Sequence, residues 1–172
     1  RGLVLEPFLD ALMVGSAIAR AGSPAQREAL DGLIAGGITA ALAAAEPTSG
    51  YALNDVRTRA ERSGDGWALN GAKAVVTGGE HADLFLVSAR TSGAEDDESG
   101  ISLFLVSAGT PGVTARGYDL IDGGRAAELT FENVALGADS LLGEAGAGHA
   151  LLEPATGRGI LALCAEAVGA MD

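Results

Sequence analysis

The most informative part of the chain is residues 45–90, which read AEPTSGYALNDVRTRAERSGDGWALNGAKAVVTGGEHADLFLVSAR. Within it, residues 56–62 alternate between small or apolar side chains and charged ones, a period that is typical of a half-buried β-strand. Residues 63–66, SGDG, predict a turn, and Asn70-Gly71 is the strongest short hairpin signal in the chain. This stretch therefore predicts short strands joined by turns.

Strand-like segments continue on the C-terminal side at a similar spacing. Short runs that alternate, or that are rich in valine, leucine and phenylalanine, predict strands at residues 72–77, 84–90, 101–106, 113–116 and 128–134. Many short strands separated by turn residues indicate an antiparallel β-barrel or sandwich.

Helical patterns lie on both sides of these strands. Apolar residues recur every three or four positions from Leu3 to Ile18, and Gly22 is expected to end that helix. Ser23, Pro24 and Gln26 form the signature of a capping box at the start of a second helix, which Gly36-Gly37 should terminate. Helical spacing returns from Gly148 onward.

The predicted fold is therefore α+β, with an antiparallel β-barrel or sandwich middle domain flanked by helices of incomplete helical domains. Residues 1–40 would be the end of an N-terminal helical domain, 41–147 the middle β domain, and 148–172 the first helix of a C-terminal helical bundle. Because the chain starts at Arg1 without methionine and ends inside an apolar run, we expect it to be an excerpt of a longer protein.

The composition excludes several classes of protein. A net charge of −12 would repel phosphate backbones, so nucleic-acid binding is not expected. No apolar run is long enough for a membrane span, and the single cysteine, Cys164, cannot form an internal disulfide or a cysteine-based zinc site. These features predict a soluble, cytoplasmic globular protein.

Isolated chemical motifs give weak signals. The acidic residues 95–98 fit a solvated loop better than a metal site, and no metal site is predicted. His81 and Asp83 could form an acid–base pair, but turn residues before a strand are the favoured interpretation. Cys164 is expected to pack within the last helix, and the glycines of residues 143–148 lack the spacing of a dinucleotide-binding loop.

Several motifs taken in order resemble the middle domain of the acyl-CoA dehydrogenase family. The matching positions within residues 45–90 are Glu46-Pro47, Gly50, Thr58, Ala60, Asn70-Gly71, Lys73, Thr77, Ala82-Asp83 and Ala89-Arg90. The downstream matches are Thr110-Pro111-Gly112, Phe131-Glu132-Asn133-Val134, Leu142-Gly143, Gly146, Gly148 and Arg158. The resemblance covers nearly the whole chain, and it agrees with the order of helix, strand and helix derived above.

This resemblance implies a flavoprotein that α,β-desaturates an acyl-CoA thioester, with FAD as the hydride acceptor. It further implies a homo- or heterotetramer that passes electrons to an electron-transfer flavoprotein or a similar acceptor. Residues 1–7 and 122–128 resemble one branch, the small subunits of pimeloyl-CoA dehydrogenase and subunits of heteromeric actinobacterial enzymes acting on steroid side chains. Flavin-dependent monooxygenases and acyl-CoA oxidases share the fold and remain a weaker alternative.

The resemblance also implies which residues form the site. The expected cofactor contacts are Leu42, Ala44, Ala45, Gly50, Tyr51, Val75, Val76 and Thr77. Thr77 would place its hydroxyl near the reactive nitrogen of the flavin. Tyr51 and Arg158 are the expected substrate contacts. The catalytic glutamate is expected beyond Asp172, and the alternative position for it in some members is Gly157 here.

Three positions depart from the family pattern. Ala45 replaces a threonine, Tyr51 replaces a serine, and Val75 replaces a tryptophan. These changes are compatible with a pocket reshaped for a bulkier acyl group. They are equally compatible with a non-catalytic or flavin-deficient partner subunit of a heteromeric acyl-CoA dehydrogenase, which is the main alternative function.

Overall fold

A computed structural model describes residues 8–171 of the chain. Two helices come first, followed by the strands and a long final helix. In chain order the elements are α1 (Phe8–Ala21), α2 (Pro24–Ile34), β1 (Ala40–Ala43), β2 (Arg59–Ser63), β3 (Gly66–Thr77), β4 (Leu84–Arg90), β5 (Ile101–Ser107), β6 (Val113–Asp119), β7 (Arg125–Leu136), β8 (Leu141–Leu142) and α3 (His149–Met171). The predicted helical positions Leu3 and Leu5 lie outside the described residues.

The capping box at the start of α2 is confirmed. The Gln26 amide donates to Ser23 Oγ at 3.2 Å, and the Ser23 amide donates to Gln26 Oε1 at 3.0 Å. The Gln26 side chain also donates to the carbonyls of Asp139 and Leu141, which lie just before and within β8. One side chain therefore caps the helix and fixes it against the end of the sheet.

The eight strands form one mixed sheet, and the α+β prediction is confirmed. The strand order is β6-β7-β3-β2-β4-β5-β8, with β1 also paired to β4, so the sheet is not closed into a barrel. Both β1 and β2 run parallel to β4, which corrects the prediction of a purely antiparallel arrangement. A parallel pair needs a crossover connection, and β3 provides the return between β2 and β4.

The hairpin predicted at Asn70-Gly71 is wrong. The turn between β2 and β3 lies at residues 63–66, as the SGDG motif predicted, and β3 runs straight through Asn70-Gly71. Gly71 has φ of 144°, and a Cβ there would lie 2.6 Å from Thr58 Oγ1. The glycine is thus required by a bulge at which β3 passes close to Thr58, while the Asn133 amide donates to Asn70 Oδ1.

The core has two parts, one on each face of the β4–β5 region. Inside the folded sheet, the rings of Trp67 and Phe104 meet edge to face with centroids 5.4 Å apart. The second part packs α1 and α3 against the outer face, through Val14, Ile18 and Leu152. This packing places α1 beside β1 and the end of β3.

The exposed part of α3 contradicts one expectation. Cys164 is exposed rather than packed, and the apolar side chains of Leu161 and Leu163 beside it are exposed as well.

No helix within residues 8–171 has the length and apolar character needed to cross a membrane.

Candidate functional site

The end of β1 and the end of β3 meet beneath α1, and this junction holds most of the predicted cofactor residues. The Ala74 amide donates to the Ala45 carbonyl at 2.9 Å, so the segment after β1 lies beside β3. Leu42 and Thr77 both hydrogen-bond to one side chain of α1, that of Asp10. Ala45 and Thr77 are exposed, and Leu42 is half-buried. The junction is therefore an open surface made of small side chains and backbone groups.

Val75 and Val76 point in opposite directions at this junction. The pairing of β3 with β7 shifts between Lys73 and Val76, and Val75 adopts φ of 52°. A β-branched residue in this conformation costs about 1–3 kcal/mol, so the surrounding structure must enforce it. Val75 is 58% exposed, whereas Val76 is buried in the core. The Val76 side chain is therefore turned away from the open surface, and the Val75 side chain forms part of it.

Asp10 on α1 is the polar centre of the junction. Its carboxylate accepts a hydrogen bond from the Leu42 amide at 3.1 Å and one from the Thr77 hydroxyl at 2.5 Å. Burial raises the pKa of Asp10, and the two hydrogen bonds partly oppose that increase. No basic side chain among residues 8–171 forms an ion pair with it. Asp10 is thus a buried carboxylate stabilised by two hydrogen-bond donors.

Sequence reasoning missed Asp10, although a signal was present. Asp10 shares the buried stripe of α1 with Val14, Ala17 and Ile18, which follow it by helical spacing. A lone carboxylate on such a stripe must find a partner because its burial is costly.

The remaining predicted residues are Gly50, Tyr51 and Arg158. Tyr51 is fully exposed in the turn that follows Gly50, and Gly50 itself has φ of 56°. Arg158 lies on α3 in a cleft of about 320 Å³ between α1 and α3, and Arg20 also lines this cleft. None of the predicted cofactor residues lines the cleft that contains Arg158.

A buried ion pair holds the segment after β1 in place. Lys73 Nζ lies 2.8 Å from Glu46 Oε1, and it also donates to Ser88 Oγ and to the Ala44 carbonyl. The other contacts of Glu46 are the amides of Arg57 and Thr58, each at 2.9 Å. The family-type residues Glu46 and Lys73 therefore link β1, β3, β4 and the loop before β2.

The protonation of this pair follows from its burial. Burial lowers the pKa of Lys73 to about 8, against the opposing attraction of Glu46. Burial alone would raise the pKa of Glu46, but the charge of Lys73 and the hydrogen bonds from Lys73, Thr58 and Arg57 lower it overall. Both side chains are buried, so the pair connects these segments and does not face a ligand.

Arg90 holds the acidic loop. Its guanidinium is buried and donates to five backbone carbonyls, those of Val56, Asp97, Ser99, Asn54 and Glu95. The acidic side chains of residues 95–98 are exposed, in agreement with a solvated loop. Within residues 8–171 no three histidine, cysteine or acidic side chains are grouped in a way that could hold a metal ion.

His81 and Asp83 do not pair with each other in the hydrogen-bond and ion-pair contacts of the described chain. Asp83 Oδ2 accepts hydrogen bonds from the Thr39 amide at 2.8 Å and from its hydroxyl at 3.0 Å. These bonds lower the pKa of Asp83. His81 Nε2 lies 3.8 Å from Glu80 Oε2 instead. The interpretation of both as turn residues before β4 is consistent with these contacts.

The sequence model of the acyl-CoA dehydrogenase middle domain matches residues 41–134, which is more than half of the chain. The chain therefore belongs to the acyl-CoA dehydrogenase family. The matched segment contains the β1–β3 junction, the Glu46–Lys73 pair and Arg90.

Individual relatives agree with this assignment. The chain is 38% identical over 157 residues to cyclohex-1-ene-1-carbonyl-CoA dehydrogenase of Geobacter metallireducens, a match that covers 88% of this chain and 41% of that protein. Butyryl-CoA dehydrogenase from Megasphaera elsdenii has a similar structure, with a TM-score of 0.76 and 32% identity over 82% of this chain and 38% of that one. The ChsE4-ChsE5 complex from Mycobacterium tuberculosis gives a TM-score of 0.80 and 26% identity, covering 86% and 39%.

The chain thus spans about two fifths of the length of these relatives. Activity, substrate and assembly are properties of a whole protein, and for this chain they are proposals.

Proposed function

We propose that this chain is part of a flavoprotein that α,β-desaturates an acyl-CoA thioester, with FAD as the hydride acceptor. One observation carries the proposal beyond family membership. The open surface at the β1–β3 junction combines an exposed aliphatic side chain, Val75, with the hydroxyl oxygen of the exposed Thr77, whose hydrogen is donated to Asp10.

The residue types at the junction fit a flavin ring. Isoalloxazine is flat and amphipathic, so it needs an apolar wall and hydrogen-bonding groups along its polar edge. Val75 and the small side chains of Ala44 and Ala45 leave room for a flat wall. The hydroxyl oxygen of Thr77 would contact the polar edge, and FAD, when bound, would supply the hydride acceptor.

The three departures from the family pattern do not obstruct this surface. Ala45 and Val75 are smaller than the residues they replace, and Tyr51 is fully exposed to solvent. This favours a reshaped flavin site over a flavin-deficient partner subunit. The named dehydrogenases among the relatives point the same way.

The remaining parts of the proposal concern the whole protein. The catalytic base would be a glutamate beyond Asp172, and Tyr51 and Arg158 would contact substrate. Arg20 and Arg158 line the same cleft, and their positive charges suit an anionic ligand such as a CoA thioester. A tetramer, an electron-transfer flavoprotein as acceptor and a cytoplasmic location complete the proposed function.

Anaerobic flavin bleaching tests the reaction. The whole protein, purified with any partner chain, would be mixed with a panel of saturated acyl-CoA thioesters of different length and bulk. We expect at least one thioester to bleach the visible flavin band, because hydride transfer reduces the ring. Free CoA should leave the band unchanged. Absence of bleaching across the panel, in protein that holds FAD, would contradict the proposed desaturation.

A further inference from the structure

Asp10 is a buried carboxylate at the β1–β3 junction, and the proposed chemistry does not yet use it. It is 6% exposed, and its two oxygens accept from the Leu42 amide and from the hydroxyl of Thr77, which the proposed function places at the flavin edge. The Thr77 contact, at 2.5 Å, joins residues 67 positions apart in the sequence. The position of Asp10 on the buried stripe of α1 fixes the carboxylate against this edge.

The number of hydrogen atoms limits what Thr77 can do. A threonine hydroxyl has one hydrogen and two acceptor lone pairs. In the structure that hydrogen is donated to Asp10 Oδ2. While this bond is kept, Thr77 Oγ1 can only accept a hydrogen bond from a ligand that reaches it.

We propose that Asp10 is a positioning residue that makes Thr77 a hydrogen-bond acceptor at the flavin edge. This inference rests on the proposed function, since it requires a flavin at the junction. The proposed function would place N5 of the flavin beside Thr77. In oxidised isoalloxazine N5 is an acceptor, so it would meet a second acceptor there. In the reduced ring N5 carries a hydrogen, which Thr77 can accept. Asp10 thus weakens the binding of oxidised FAD relative to reduced FAD.

The substitution Asp10→Asn tests this proposal with little change in shape. The asparagine carbonyl can still accept from the Leu42 amide, while its NH2 group donates to Thr77 Oγ1. The Thr77 hydrogen is then free to donate to N5 of oxidised FAD. Because one neutral hydrogen bond is worth about 1 kcal/mol, we expect the dissociation constant of oxidised FAD, measured by fluorescence quenching, to fall by about fivefold.

Two controls separate orientation from charge. Asp83→Asn is a matched variant, because Asp83, like Asp10, accepts from one backbone amide and one threonine hydroxyl; both belong to Thr39, outside the junction. It should leave the affinity for FAD unchanged. In a Thr77→Val background, Asp10→Asn should no longer raise the affinity for oxidised FAD, because no hydroxyl remains that could donate to N5.

The outcomes distinguish the inference from the proposed function. If the unaltered whole protein binds FAD but Asp10→Asn does not tighten binding, or tightens it equally in the Thr77→Val background, the role of Asp10 is refuted and the flavoprotein assignment stands. If no variant binds FAD, both fail. Should Asp10→Asn not fold, Thr77→Val alone decides: we expect no weakening for oxidised FAD, and a tenfold loss would overturn the proposal.

Discussion

Replacing Lys73 by methionine is expected to lower the free energy of unfolding by about 3–5 kcal/mol, the usual cost of breaking a buried ion pair from one side. The methionine would leave Glu46 as a buried carboxylate without its cation, although the amides of Arg57 and Thr58 would still donate to it. Urea denaturation of the whole protein measures the change.

An exposed ion pair serves as the control for the buried one. Arg116 and Glu128 form this pair, and their side chains are 76% and 47% exposed. Removing such a pair costs about 0–1 kcal/mol because water screens it. Arg116→Met should therefore be nearly neutral. The double variant Glu46→Gln with Lys73→Met should lose less than the sum of the single changes, since it leaves no isolated buried charge. Equal losses for Lys73→Met and Arg116→Met would contradict this account.

The pH dependence of the free energy of unfolding tests the role of Glu46 independently. Glu46 has a pKa below its usual value in the folded protein, so the unfolded chain binds its proton first as the pH falls. Its contribution to stability is complete above the ordinary pKa of 4.5 and is lost as the pH falls through the folded pKa. The unaltered protein should therefore lose stability in acid more steeply than the double variant.

Replacing Arg90 by methionine is expected to destabilise the protein by about 3 kcal/mol or more, because each buried carbonyl left without a donor costs about 1–3 kcal/mol. Five carbonyls accept from this one guanidinium, three of them in the loop between β4 and β5 and two in the segment before β2. That of Glu95 would keep a second donor, the Val56 amide, and the other four would lose the Arg90 bond. Arg90→Lys should recover little, since an ammonium group has three donors in a compact geometry.

Hydrogen exchange in the loop between β4 and β5 provides a second test of the role of Arg90. Hydrogen exchange of residues 91–100 should accelerate in Arg90→Met, because the guanidinium tethers the carbonyls of Glu95, Asp97 and Ser99. Arg62→Met is a suitable control: Arg62 is exposed and lies 4.0 Å over the Trp67 ring, a contact worth about 0.5–1 kcal/mol at exposed sites. Unchanged stability and exchange in Arg90→Met would refute the tethering role.

Local signals in the sequence predicted the local structure well. The capping box of Ser23 and Gln26 acts within four residues, and the SGDG turn needs only its own backbone preferences. By contrast, β1 has the sequence AALA, which has low intrinsic preference for a strand. It is a strand because it is buried and pairs with β4, and neither fact can be read locally.

The candidate site also contains residues that the sequence predicted and one that it did not. The family resemblance predicted Leu42 and Thr77 as cofactor contacts, and in the structure both hydrogen-bond to a third residue. That residue, Asp10, lies in a run that reads as an ordinary amphipathic helix. Its partners are determined by how α1 packs on β1, so no spacing rule could find them. The hairpin prediction at Asn70-Gly71 was wrong for a related reason. The glycine allows β3 to pass close to Thr58, a contact between distant parts of the fold, and does not form a turn.

FAD content per chain decides whether the β1–β3 junction is a flavin site. The whole protein would be purified in its folded state, its visible absorption spectrum recorded, and the flavin released by denaturation and quantified against protein. The proposed function predicts a flavin spectrum and about one FAD for each copy of this chain. Folded protein that holds little or no FAD, and takes up none when it is added, would contradict the account and favour a partner subunit without flavin.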